Sequence, residues 1–184
     1  MKSLKNKFIF FGVVCFLTTF ITQAQNETSS NSFSYRSFSV SPLGVYVGSN
    51  SGPYLTGDVS FDYGKSIFSL AGGFGTEGNF IGSSDDIAEV NFLYGRSFPL
   101  GEKIFTEVYI GAGYFHYNTY GLTDEITRTR GDIDESTIGF PIGAKLQFKL
   151  GERYSMGLKL GGNINAVESI ATVGLVLQWN RKRN

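Results

Sequence analysis

From Phe38 onward, apolar residues alternate with small or polar ones at a spacing of two, and the alternation is interrupted only by short connections. That period is the signature of strands, because successive side chains of an extended backbone point to opposite faces. The pattern predicts strands over Phe38–Gly48, Tyr54–Gly64, Ser66–Gly75, Asp86–Ser97, Ile104–Tyr117, Ser136–Leu150, Tyr154–Asn163 and Ser169–Asn180. One face is apolar throughout, as in Leu55, Val59, Phe61 and Tyr63, or Ile138, Phe140, Ile142, Leu146 and Phe148. The other face is small or polar. It collects Asp58, Asp62, Glu89, Glu107, Lys145 and Lys159, together with glycines such as Gly111, Gly113, Gly139 and Gly157.

Each segment approaches or exceeds the roughly 9 to 11 residues with which a tilted strand crosses a bilayer. The connections mostly alternate in length: Lys65, Phe98–Lys103 and Gly151–Arg153 are the shorter set, whereas Asn118–Glu135 is the longest. Short turns at one end and long loops at the other are the arrangement of a transmembrane barrel with periplasmic turns. Tyr63, Tyr94, Phe148 and Trp179 fall at the last outward positions of the strands running toward the short turns, as an interfacial aromatic girdle would. The predicted fold is therefore all-β, an eight-stranded antiparallel up-and-down transmembrane β-barrel. An interior that narrow is filled by side chains. The six inward charges are expected to pair as a polar network, because an isolated buried charge is costly.

The N-terminus adds an address. Met1–Lys7 carries three lysines, and Phe8–Ile21 is an apolar run too short for the roughly 20 residues of a membrane-spanning helix; small residues at Thr22–Gln25 follow. Residues 1–24 read as a cleaved signal peptide, 25–37 as a flexible Ser- and Asn-rich segment, 38–180 as the barrel and 181–184 as a basic tail. The single cysteine, Cys15, lies in the signal, so no disulfide holds the mature domain. Without Lys2, Lys5 and Lys7 the chain has 13 basic and 16 acidic residues, which is no footprint for nucleic acid. Abundant glycine (24) and aromatics (15%) with only 4 prolines suit curved sheet. An exported chain without a spanning helix can still enter a membrane as a closed barrel, which points to the bacterial outer membrane.

The signal, the eight alternating strands and the aromatic near the end resemble the group of small outer-membrane barrels that includes OmpX, Ail and the OmpA membrane domain. The resemblance covers about Phe38–Trp179 and is one of pattern. It departs at the C-terminus, where residues 180–184 follow Trp179. It implies a porin-like cell-envelope protein surrounded by outer-membrane lipid and lipopolysaccharide and inserted by the barrel assembly machinery. The rival fold is a soluble exported lipocalin-like carrier, in which the apolar stripe would line a ligand cavity.

Candidate chemistry is sparse. His116, the one histidine, lies at the outer end of the fifth segment. Outer-membrane lipid A deacylases place His and Ser two residues apart at such a rim, but here position 118 is Asn, so a rim-sited lipid-modifying enzyme is the alternative reading. Ser83–Asp86 reads as a solvated acidic loop. Ala71–Gly75 has no following helix to present amides to phosphate. The longest loop holds Arg128, Arg130 and Asp132, within which Arg130–Asp132 spells an integrin-binding tripeptide. These three are the candidates for contact with a surface ligand. The sequence predicts no catalytic residue, no metal site and no cofactor, and a structural or surface-interaction role through extracellular loops.

Overall fold

The computed structural model describes residues 32–76, 85–119 and 133–182. Eight strands follow one another: β1 (Phe33–Val47), β2 (Ser51–Tyr63), β3 (Ser66–Thr76), β4 (Asp85–Pro99), β5 (Ile104–Thr119), β6 (Ile133–Lys149), β7 (Tyr154–Ile164) and β8 (Ile170–Asn180). Each pairs antiparallel with its neighbours, and β1 also pairs with β8 from Ser37↔Asn180 to Val47↔Ala171, closing the barrel. Closure leaves no edge strand, so the ladder satisfies backbone amides and carbonyls on both sides.

The period-two pattern resolves into two faces. Leu70, Phe92, Ile110, Ile138, Leu160 and Val173 are among the many large apolar side chains exposed on the outside. Asp58, Ser60, Asn91, Glu107, Lys145 and Gln178 are buried inside. A lipocalin-like carrier would have the reverse polarity, with the apolar row around a ligand cavity.

Strand ends shift by a few residues from the sequence reading, and three differences matter. Residues 33–37, expected in the flexible segment, belong to β1. Phe33 stacks on Phe61 with centroids 5.1 Å apart, and Tyr35 meets the same ring edge-on at 6.2 Å. The serines that suggested a tether are inward residues of a narrow lumen: Ser37, Ser39 and Ser41 are all buried. Second, β1 changes parity twice. Register shifts at Tyr35/Ser37 and Ser41/Gly44 place Arg36 and Ser37 both inward and Pro42 and Leu43 both outward. Such β-bulges oppose two residues to one, and the second one accommodates a proline that cannot donate to a ladder. Third, β5 and β6 run on to Thr119 and Ile133, with Asn118↔Asp134 and Tyr117↔Glu135 paired, so residues 118, 119 and 133–135, expected in the longest loop, belong to strands.

The β2–β3 turn is Gly64–Lys65, where Gly64 has φ 60°, the left-handed value required at the first central position of a tight hairpin. Elsewhere glycine makes room for neighbouring strands. A Cβ on Gly113 would lie 2.7 Å from the Cα of Asn91, whereas one on Gly101, in the β4–β5 turn, would meet nothing within 4 Å. Gly113→Val is therefore expected to prevent closure of the β4–β5 seam and Gly101→Ala to be neutral. The fraction of protein migrating as a compact species in unboiled electrophoresis checks both.

Candidate functional site

In a ring of eight strands, β2 faces β6 and β1 faces β5 across the lumen. Charged side chains use that opposition. Lys145 of β6 reaches Asp58 of β2, donating to both carboxylate oxygens at 2.8 Å and to Ser39 Oγ at 2.9 Å. Those three bonds use all three ammonium protons. Ser39 donates to Asp58 at 2.5 Å and Ser60 at 3.2 Å, completing the carboxylate's shell. Both charged side chains are nearly excluded from solvent, at 3% and 4% exposure.

Toward the short turns, Arg36 of β1 reaches Glu107 of β5. Its Nε and Nη2 donate to Glu107 Oε1 at 3.0 and 2.5 Å, and its Nη1 donates to Asp62 Oδ1 at 2.9 Å. Tyr109 donates to the other Glu107 oxygen at 2.8 Å. Beside this cluster runs a relay of amides: Gln147 donates to Gln178 (2.7 Å), Gln178 to Asn180 (2.8 Å) and Asn180 to Ser155 (3.1 Å).

Toward the loops, Glu89 accepts from Tyr54 and from Asn163, the latter at 2.7 Å. Lys159 donates to Thr56 at 2.7 Å. Thr56, Glu89, Asn91, Lys159 and Asn163 line a cavity of about 50 Å³, room for a few waters and not for an organic ligand. Above it, at the loop end, Tyr46, Tyr54, Ile87, Phe115 and Ile170 form an apolar cluster against which Tyr117 packs.

The structure thus places Asp58, Asp62, Glu89, Glu107, Lys145 and Lys159 all on the inner wall, in separate clusters. Asp58 and Lys145 bond each other. Asp62 and Glu107 meet through Arg36, while Glu89 and Lys159 bond uncharged partners. Sequence reasoning missed Arg36, Tyr54 and Tyr109. Four inward carboxylates against two lysines was the signal that a cation was absent from the count. Arg36 is the single basic residue between the apolar N-terminal run and β2, but its segment was assigned to a tether.

Tyr63, Tyr94, Phe148 and Trp179 all face outward, between 40% and 46% exposed. Tyr63, Phe148 and Trp179 are last or next to last in their strands, and Tyr94 sits farther from its turn. Tyr94 contacts Phe68 at 5.6 Å and Trp179 contacts Tyr154 at 5.2 Å, widening the aromatic band. Arg128, Arg130 and Asp132 lie outside the described residues, as do Ser83 and Ser84.

At the outer rim, His116 Nδ1 lies 3.0 Å from Ser136 Oγ, its direct cross-strand partner, and 3.7 Å from Asp134 Oδ1. Tyr114 stacks on the imidazole at 6.4 Å, and its hydroxyl lies 2.6 Å from Ser136 Oγ. Serine, histidine and aspartate therefore meet, but not as a charge-relay triad. Both oxygens approach the same ring nitrogen, whereas a triad needs the carboxylate on the nitrogen opposite the nucleophile. His116 is also paired on both sides in the ladder, with Ala88 and Ser136. Its neighbouring backbone amides belong to that pairing and are not aimed at an oxyanion.

No protein-family profile matches the chain, and a comparison with curated proteins finds no match. Solved structures are. The N-terminal β-barrel domain of Pseudomonas aeruginosa OprF aligns over 82% of this chain and 100% of its own, with 15% identity and a TM-score of 0.53. Neisserial surface protein A aligns over 82% of this chain and 97% of its own, with 8% identity and a TM-score of 0.55. Ail of Yersinia pestis, solved with the heparin analogue sucrose octasulfate, aligns over 80% of this chain and 97% of its own, with 13% identity and a TM-score of 0.50. At such identities the likeness is one of fold: a small, closed, eight-stranded up-and-down barrel.

Lys145→Met leaves the Asp58 carboxylate buried without its cation, and is expected to cost about 3–5 kcal/mol. Adding Asp58→Asn should recover much of that loss. Urea unfolding in lipid, followed by tryptophan fluorescence, measures both variants.

Proposed function

We propose that this protein is a non-enzymatic outer-membrane barrel whose lumen is plugged by its own polar side chains and whose loops carry a structural or interaction role at the cell surface. The observation that supports it is the inverted polarity of the closed barrel, apolar outside and hydrogen-bonded inside. Each large apolar side chain left in water forgoes about 1.5–3 kcal/mol of burial, and the exposed ones here outnumber those buried. Summed over the outer face, that exceeds the 5–15 kcal/mol by which a domain is usually stable. A hydrocarbon surround removes the penalty, and the N-terminal signal together with the paired backbone of a closed barrel suits the outer membrane.

The ion pair and amide layers that span the lumen, capped at the loop end by an apolar cluster, support a barrel that does not conduct. The rim trio His116, Ser136 and Asp134 is better suited to anchoring the β5–β6 hairpin at the lipid interface than to cleaving lipid. Outer-membrane lipid, lipopolysaccharide and the assembly machinery are the partners this reading implies. Among the described residues the loop end carries the carboxylates Asp86, Asp134, Glu135 and Glu168.

Fractionation of the expressing cell should recover the protein with the outer membrane, and unboiled samples should migrate differently from boiled ones. A soluble periplasmic protein without such a shift would sink the proposal. In planar bilayers the purified barrel should give no discrete single-channel currents. For the rim, His116→Ala should leave the lipid A mass spectrum of that cell unchanged; a changed acylation pattern would favour the enzyme.

A further inference from the structure

Cations and anions are segregated along the barrel axis. Arg36, Lys145 and Lys159 are used inside the lumen. Every other lysine or arginine among the described residues lies at the turn end. Lys65 is in the β2–β3 turn, Lys103 in the β4–β5 turn and Arg153 in the β6–β7 turn. Arg96 and Lys149 are near the ends of β4 and β6, and Arg181 and Lys182 follow β8. Among the described residues, the carboxylates facing them outside the lumen at that end are Glu102 and Glu152, and Glu152 is taken by Lys182 at 3.1 Å. The loop end is the reverse. Its described charges are carboxylates, and the connections outside the described residues add Glu77, Asp124, Glu125 and Asp132 against Arg128 and Arg130.

We propose that the turn end is a cationic collar that binds the anionic phosphate headgroups of the membrane leaflet around it. The proposal rests on the membrane reading above. Three features select a lipid leaflet over a soluble acidic partner. The cations are not one patch. They occupy all three turns and the chain segment after β8, so they encircle the barrel, which matches a surrounding leaflet; a docked protein would cover one side. They also lie at the level of the aromatic band. Arg96 follows Tyr94 on the same outward row of β4, and its Nε lies 3.4 Å from the Tyr94 hydroxyl, which is 3.3 Å from Ser66 Oγ. The tyrosine hydroxyl thus sits between the guanidinium and the first residue of β3, which holds this cation at the level of the aromatic band. Finally, Lys103, Lys149, Arg153 and Arg181 are exposed, and among the described residues no carboxylate is bonded to them. Basic residues beside an anionic surface bind it through long-range attraction that salt weakens.

The test uses the full exported protein reconstituted into vesicles of phosphatidylcholine containing about a quarter phosphatidylglycerol. After gentle detergent extraction, the lipids that stay with the barrel are quantified by mass spectrometry. At low salt the retained lipid should be enriched several-fold in phosphatidylglycerol over the vesicle, and molar salt should abolish the enrichment. The triple variant Arg96→Gln, Lys103→Gln, Arg153→Gln should bring the retained lipid most of the way back to the vesicle composition, while still showing the electrophoretic shift of a folded barrel. Retained lipid at the vesicle composition, or a triple variant as selective as the parent, overturns the collar. So does salt-sensitive capture of a soluble polyglutamate without lipid selectivity, which would assign the collar to an acidic partner. If the parent protein fails to insert and shows no shift, the membrane reading itself has failed, an outcome separate from the others.

Discussion

In a ring of eight tilted strands, side chains that project from opposite walls reach one another, so each inward position must be small or must find a partner across the lumen. Most of the molecule follows from that diameter. Lys145 and Asp58 can bond only because four strands of separation around the ring become direct contact through it. The inward positions 113 and 139 are glycine because the amides of Asn91 and Asn163 take the space that a Cβ would need. Even the apolar outside is a consequence. A wall whose inner face is largely committed to hydrogen bonds puts most of its large apolar residues outward.

The two bulges in β1 show how a strand meets that demand when its sequence does not alternate perfectly. Without the shift at Ser41/Gly44, the parity set by Phe38 and Val40 would send Tyr46 outward and Val45 inward. With it, Tyr46 joins Tyr54, Ile87 and Phe115 in the loop-end cluster, and the valines join the outer face. The shift at Tyr35/Ser37 turns Arg36 into the lumen. One irregular strand thereby supplies both an apolar cap at one end and a cation at the other.

Much of this was legible in the sequence because a period of two survives wherever one face is small or polar and the other apolar, as in β2 and β4 to β8. Faces could be assigned without knowing which was inside, and the inward charges followed. What was not legible has physical reasons. A bulge leaves no mark in composition, so the parity of β1 could not be read past Pro42. Serine is common both in disordered segments and in narrow interiors, so 33–37 looked like tether. Cross-barrel partners such as Arg36 and Glu107 are 71 residues apart, and their contact depends on strand order and tilt, which alternation does not encode. The meeting of His116, Ser136 and Asp134 was likewise invisible, because it arises from the register of β5 against β6.

The seam between β1 and β8 joins the first strand to the last, so the ring cannot shut until nearly the whole chain is present. Closing so long a loop is entropically late among the steps of folding, because distant contacts are made only after local hairpins. Arg36 sits in that first strand, and the carboxylates it neutralises are on β2 and β5. Ring closure and charge compensation at the turn end are therefore mutually reinforcing. A barrel that has not shut on β8 holds its first strand less firmly, and an unneutralised pair of carboxylates favours keeping the ring open to water, which gives the molecule a built-in discrimination between complete and truncated chains.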